Sequence, residues 1–215
     1  MKVYGIGGLG VDNRVFAELN LDFELTPLEW IVPLHKESLE SYTRRFAEQI
    51  DRNTPFSIVG VSFGGMMAIE LNKILDPVQI VLLSSATRRE DIPRSFRIAG
   101  QSGLLRVIPK PMMKPPAFVN NWFFGVSDAK YKALLQDVVD DTDTDFLRWA
   151  IGVILQWNNH QSPSNLLRVH GTADRILRCT TPDEAILLQG AGHFMVMDRS
   201  EEVSRILNQS VKRAE

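Results

Sequence analysis

The chain has one cysteine, Cys179, so no intrachain disulfide can form, which suits a reducing compartment and a cytoplasmic location. Cys179 sits in Arg178-Cys179-Thr180-Thr181-Pro182 with no histidine or acid signature around it, and a packing role is expected. No apolar run reaches the roughly 18 residues of a membrane span. The opening Met1-Lys2-Val3-Tyr4-Gly5 is broken by glycine too early for a secretory signal, so Asn208-Gln209-Ser210 is read as a chance glycosylation match. Charge is nearly balanced, at 24 basic against 26 acidic residues and a net −2, so neither nucleic acid nor an anionic membrane is implied as a partner. No spacing of His, Cys, Asp or Glu suits a metal, and no metal or organic cofactor is expected. Repeats and low-complexity segments are lacking too. Histidine is scarce, with only His35, His160, His170 and His193.

What is present is an alternation of strand and helix signals. The 215 residues suit one domain, 1–215, able to bury roughly 70% of its unfolded surface. Strands are expected at Lys2–Gly5, Leu25–Val32, Phe56–Val61, Val78–Leu83, Leu166–His170 and Glu184–Gln189. Asp12 is a candidate N-cap for a short helix through Val15, Phe16 and Leu19. Ser38 opens a helix to about Arg52, and further helices are expected over Phe63–Leu75 and Arg199–Val211. This pattern predicts right-handed βαβ units and a mostly parallel sheet of about six strands with helices on both faces. Between Ser84 and about Ser164 the alternation stops. Prolines, then the aromatics Trp122, Phe123 and Phe124, then helical patterns at Tyr131–Val139 and Phe146–Trp157 fill about eighty residues, too long for a simple loop. They read as a helical insertion over one end of the sheet.

Gly60-Val61-Ser62-Phe63-Gly64 stands between an apolar strand and a helix. The pentapeptide pattern arises by chance in roughly 5–10% of chains of this length at average composition, so its setting decides the reading. A strand-to-helix turn this tight strains the backbone of its central residue and leaves no room for side chains at the flanking positions. Gly60, Gly64 and Gly65 supply that room, and the helix N-terminus faces the Ser62 oxygen. A glycine-rich turn with an incidental serine is the plainer alternative.

A serine nucleophile needs a base. His193 lies in Gly190-Ala191-Gly192-His193-Phe194, after the last strand, where a glycine-flanked loop lets an imidazole reach over the sheet edge. His170 ends a strand and reads as a buried core histidine; His35 and His160 lie in polar loops. The orienting acid is Asp174 in His170-Gly171-Thr172-Ala173-Asp174, although a turn or N-cap role would also explain it. After the strand ending at Leu83 the residues are Ser84-Ser85-Ala86-Thr87, with no carboxylate until Glu90.

The Gly-Val-Ser-Phe-Gly-Gly, His-Gly-Thr-Ala-Asp and Gly-Ala-Gly-His-Phe segments, with Ser62, Asp174 and His193 in that chain order, resemble the α/β-hydrolase superfamily over essentially the whole chain. The resemblance implies an α/β-hydrolase fold with a trimmed sheet and a helical cap at 85–162. It also implies an oxyanion hole from the backbone N–H groups of Phe63 and, where the family often has His-Gly-x-Gly, Ile6. Tyr4 stands here in place of that histidine, which leaves Gly7 and Gly8 as alternative donors.

The expected activity is that of a serine hydrolase cleaving an ester or thioester of a small to medium, apolar acyl group through an acyl-enzyme. Trp122, Phe123, Phe124, Trp149 and Trp157 could line the acyl pocket or simply pack the cap. Arg88, Arg89, Arg94, Arg97 and Arg106, followed by the acidic stretch from Asp137 to Asp145, read as solvated surface rather than an anion site. Two other readings stay open. Gly5-Ile6-Gly7-Gly8-Leu9-Gly10 matches Gly-x-Gly-x-x-Gly, with Glu24 and Glu29 near the ribose distance, which would suit an NAD-dependent oxidoreductase. Its weakness is that the following helix signal begins only after Asp12. A non-catalytic binding protein on the same fold is the other, and it would be expected to lack a triad member.

Overall fold

In the computed structural model, which describes residues 1–9, 13–101, 109 and 113–211, six strands form one sheet in the order β2-β1-β3-β4-β5-β6. They are β1 (Lys2–Ile6), β2 (Leu25–Leu28), β3 (Phe56–Val61), β4 (Gln79–Leu83), β5 (Leu166–Gly171) and β6 (Ile186–Leu188). Every pairing is parallel. All six residues of β3 and all five of β4 are buried, because helices cover both faces of these central strands.

The two faces divide the strand residues by parity. Tyr4, Ile6, Ile58, Ile80 and Leu82 pack with α1 (Leu39–Phe46), α2 (Phe63–Asn72) and Phe146, Ala150 and Leu155 of α6 (Thr144–Gln156). Val3, Val59, Val61, Val81, Leu83 and Val169 pack on the other face with α7 (Met195–Asp198) and α8 (Ser200–Ser210). Between β4 and β5 the chain makes α3 (Arg94–Gln101), α4 (Ala117–Phe124), α5 (Ala129–Asp141) and α6, with no strand among the described residues. None of the helices is long and apolar enough to cross a membrane among the described residues.

Three elements end earlier than their sequence patterns suggest. β2 stops at Leu28, not Val32. It is an edge strand, and Pro27, which has no N–H to donate, is tolerated only there. Trp30 then leaves the sheet to pack against Phe63, which the apolar pattern of the segment does not distinguish from a strand position. α1 is capped by the Ser38 hydroxyl, which accepts from the Ser41 N–H at 3.2 Å, but gives way to a 3-10 turn at Ala47–Gln49 instead of reaching Arg52. The Asp51 carboxylate accepts from the Asn53 N–H at 2.9 Å and starts a turn there. α2 ends at Asn72, shortly before Asp76-Pro77, where the residue ahead of a proline disfavours helix. The expected N-cap at Asp12 lies outside the described residues.

Strand order positions the site. From β1 the chain moves outward to β2 on one side, whereas from β3 it proceeds through β4 to β6 on the other. β1 and β3 are neighbours that the chain leaves in opposite directions, and the carboxyl ends of strands at such a switch point are where open parallel sheets bind ligands.

Candidate active site

The turn from β3 to α2 is as tight as its glycines require. Ser62 has φ 51° and ψ −117°, a region L-residues rarely adopt, costing on the order of 1–3 kcal/mol. A Cβ on Gly60 would overlap the Gly64 backbone and the Gly65 Cα, and one on Gly64 would overlap the carbonyls of Ile6 and Gly7. The strain is held by hydrogen bonds to the Ser62 backbone. Its N–H donates to the Leu83 carbonyl at 2.9 Å, and its carbonyl accepts from the Ser85 hydroxyl at 2.6 Å and from the Gly65 N–H at 3.0 Å.

Ser62 Oγ lies 2.9 Å from His193 Nε2, and His193 Nδ1 lies 2.7 Å from Asp174 Oδ2. The other carboxylate oxygen, Oδ1, accepts from the backbone N–H groups of Ile176 at 2.8 Å and Leu177 at 3.0 Å. Asp174 is thus fixed from both ends. Burial works to raise its pKa, but the adjacent His193 and the donors around the carboxylate outweigh it and hold the group below the ordinary carboxylate value. The imidazole is held by its surroundings. Phe124 packs edge-on against the His193 ring at 5.4 Å, and its carbonyl accepts from the Phe194 N–H at 3.2 Å, so the end of α4 rests on the histidine loop.

Phe63 begins α2, where N–H groups have no acceptor within the helix and the helix dipole is positive. Ile6 is the last residue of β1, in register with Leu28 and Gly60. The Ile6 and Gly7 carbonyls face Gly64, and the Gly8 carbonyl accepts from Trp30 Nε1 at 3.1 Å. The loop after β1 is therefore pressed against the first turn of α2. Tyr4 is buried, its hydroxyl accepting from the Asp51 N–H at 3.1 Å.

The aromatics of 85–162 scatter. Trp149 joins Trp30, Tyr42, Phe63 and Phe146 in one cluster beside the start of α2, and its Nε1 donates to the Glu37 carbonyl at 2.8 Å. Trp157 is buried and donates to Glu70 at 2.7 Å. Phe123 packs on Phe96, and Trp122 is 58% exposed with the Arg175 guanidinium over its ring. An open cleft of about 1160 Å³ is lined in part by Trp149 and Trp157, but Ser62 and His193 do not line it. Trp30, which stacks on Phe63, and Phe146, which packs on Trp30 and Trp149, carry no sequence signal beyond hydrophobicity.

Two buried features were not apparent from the sequence. Arg168 and Asp91, both with side chains 0% exposed, pair at 3.1 Å. Arg168 donates to the Ser85 and Arg178 carbonyls, and Asp91 accepts from Thr87 and Thr180, so the pair ties the loop after β4 to the loop after β5. Burial opposes ionisation of Asp91, but Arg168 holds its pKa below the usual value. His170, expected as a buried histidine, is indeed 1% exposed, but it stands 3.3 Å from Asp174 Oδ2. His160 is exposed beside Glu90. Burial pushes the Cys179 thiol pKa up, away from nucleophilic reactivity.

The dinucleotide reading of the glycine loop lacks its helix. Between β1 and β2 the described residues hold only a 3-10 turn at Asn13–Phe16, so the connection that follows the glycines does not supply the helix N-terminus a dinucleotide fold uses for its pyrophosphate. Gly10 lies outside the described residues. Among the described residues no group of three or more His, Cys, Asp or Glu is arranged to hold a metal ion.

A model of the alpha/beta hydrolase family matches residues 18–206. No curated protein matches the sequence closely enough to count as a relative. Solved structures share the fold at low identity. The hydrolase olei00960 from Oleispira antarctica superimposes with a TM-score of 0.75 at 13% identity, covering 97% of this chain and 89% of that one. A thermophilic esterase from Thermogutta terrifontis gives 0.70 at 13% identity, covering 97% and 88%. A lipase-esterase related protein from Clostridium acetobutylicum gives 0.69 at 12% identity, covering 98% and 94%.

Proposed function

The chain belongs to the alpha/beta hydrolase family, and from that premise we propose that it is a serine hydrolase of small to medium apolar esters or thioesters. One observation carries the reading: the unbroken chain Ser62 Oγ, His193 Nε2, His193 Nδ1, Asp174 Oδ2 at 2.9 and 2.7 Å, with Ser62 held in a strained turn at the carboxyl end of β3.

His193 Nε2 accepts the Ser62 proton as Oγ attacks the substrate carbonyl. Asp174 holds the imidazole with Nδ1 protonated and stabilises the imidazolium. Negative charge on the carbonyl oxygen meets the Phe63 N–H and a second N–H from the loop after β1, for which Ile6, Gly7 and Gly8 are the candidates. The tetrahedral adduct collapses as His193 returns the proton to the departing alkoxide or thiolate. Water, deprotonated by His193, then attacks the acyl-enzyme, and Ser62 is released with the acid product. The cluster of Trp30, Phe63, Phe146 and Trp149 packs beside the start of α2, and the partly exposed Trp30 and Trp149 are the apolar surface offered to the acyl group. The helical segment 85–162 serves as the cap.

A series of p-nitrophenyl esters from acetyl to dodecanoyl tests the reading. Hydrolysis that is abolished in Ser62→Ala, with kcat/KM peaking at a short or medium acyl length, is expected. No hydrolysis of any ester or thioester by the folded protein would overturn it.

A further inference from the structure

His170 is buried against the acid of the site and has no part in the proton transfers above. Its Nε2 lies 3.3 Å from the Leu177 carbonyl and 3.3 Å from Asp174 Oδ2, both acceptors. Nε2 therefore carries a proton. Nδ1 is buried with no hydrogen-bond partner. A proton on Nδ1 would be an unsatisfied buried donor, whereas a bare lone pair there costs less. The groups facing the ring are Asp174, which favours a charge on it, and Arg168 and His193, which oppose one. Burial is the largest influence and holds the pKa below the ordinary histidine value. The side chain is thus neutral, with one N–H and one fixed tautomer.

That N–H reaches both parts of the Asp174 turn. Leu177 donates its own N–H to Asp174 Oδ1 and receives His170 on its carbonyl, so the ring pins the residue that pins the acid. The positive end of the same N–H lies beside Oδ2, the oxygen that holds His193.

We propose that His170 is a positioning residue of this site: as a neutral Nε2–H tautomer it fixes the Asp174–Leu177 turn and offsets part of the charge on the carboxylate oxygen facing His193. The proposal rests on the serine-hydrolase reading for its effect on rate, but its structural content does not. Removing the N–H leaves Oδ2 a stronger acceptor, so the His193 imidazolium becomes more stable and the base is neutralised by protons at a higher pH.

The test uses the full chain with His170→Leu and His170→Gln, the amide nitrogen of glutamine being able to replace Nε2–H. Nitrogen-15 NMR of the wild type at neutral pH should show His170 neutral with Nε2 protonated. The low-field proton between His193 and Asp174 should move downfield in His170→Leu and return in His170→Gln. The acid limb of the pH profile for fluorophosphonate labelling should move up in His170→Leu and return in His170→Gln. A protonated Nδ1 in the wild type, or a low-field proton unmoved in a folded His170→Leu, overturns the proposal. If leucine prevents folding, the wild-type tautomer and the His170→Gln spectrum still decide it. Absence of labelling in the wild type would overturn the hydrolase reading alone, since the NMR signals need no turnover.

Discussion

Replacing Asp174 with asparagine should disable the site without disturbing the fold, and the bonds around the carboxylate say how. All four of its close polar neighbours present N–H groups: Ile176 and Leu177 to Oδ1, His193 and His170 to Oδ2. A carboxamide offers one accepting end and one donating end. With its NH₂ toward Ile176 and Leu177, two backbone donors, which have no second tautomer, would face a donor. With its NH₂ toward the histidines, His193 can adapt by giving up its Nδ1 proton. The second arrangement is favoured, and it puts the proton on Nε2, where it points at Ser62 and blocks the base. The expected loss is about 10³- to 10⁴-fold in kcat/KM, or about 4–5.5 kcal/mol of transition-state stabilisation. The assay is the second-order rate constant for fluorophosphonate inactivation together with ester hydrolysis, with thermal melting as the control for folding. A folded Asp174→Asn variant within tenfold of wild type would refute the assignment of Asp174 as the orienting acid.

Other perturbations read other parts of the account. Gly64→Ala should push the loop after β1 off α2 and cut kcat/KM by about 10²-fold with KM little changed, as a misplaced oxyanion donor would; steady-state kinetics on a p-nitrophenyl ester measures it. Arg168→Met strands a fully buried Asp91 carboxylate and should cost about 3–5 kcal/mol in urea unfolding. Glu37 accepts from Arg45, Ser41 and Leu34, and the Arg45 guanidinium, against the cost of burial, lowers its pKa to about 2 from 4.5. Because the folded value is the lower one, this stabilisation is present above pH 4.5 and is lost as pH falls towards 2. Glu37→Gln should therefore lower stability by about 1–2 kcal/mol at neutral pH, solvent at the one-third-exposed Arg45 being allowed for, with the difference vanishing near pH 2.

The residues that chemistry constrains most tightly were the easiest to read. Gly60 and Gly64 are required by contacts a Cβ would break, so the turn at Ser62 was visible as glycine spacing between an apolar strand and a helix. Asp174 and His193 follow the last two strands, and the succession of strands is legible because the central β3 and β4 are dominated by apolar residues. Packing partners were not legible. Trp30 looked like a continuation of β2, and only the stacking of its ring on Phe63 at 5.0 Å takes it out of the sheet. The Arg168–Asp91 pair joins residues 77 positions apart, and nothing local in Leu166–Gly171 marks the arginine as buried. Asp91 itself lies one residue beyond Glu90, in the loop that appeared to lack an acid. It is a buried carboxylate, but its partners are Arg168, Thr87 and Thr180, not a histidine. His170 showed the same limit: its burial could be read from the strand, but its approach to Asp174 depends on the turn between them.

The central claim is that Ser62 is a nucleophile activated by His193, and covalent labelling tests it most directly. The intact protein should gain the mass of one phosphonyl group from a fluorophosphonate, mapped to the peptide containing Ser62, with labelling absent from Ser62→Ala and slowed about 10³-fold or more in His193→Ala. Failure of the folded wild type to label, or a Ser62→Ala variant that labels at the wild-type rate, would contradict it.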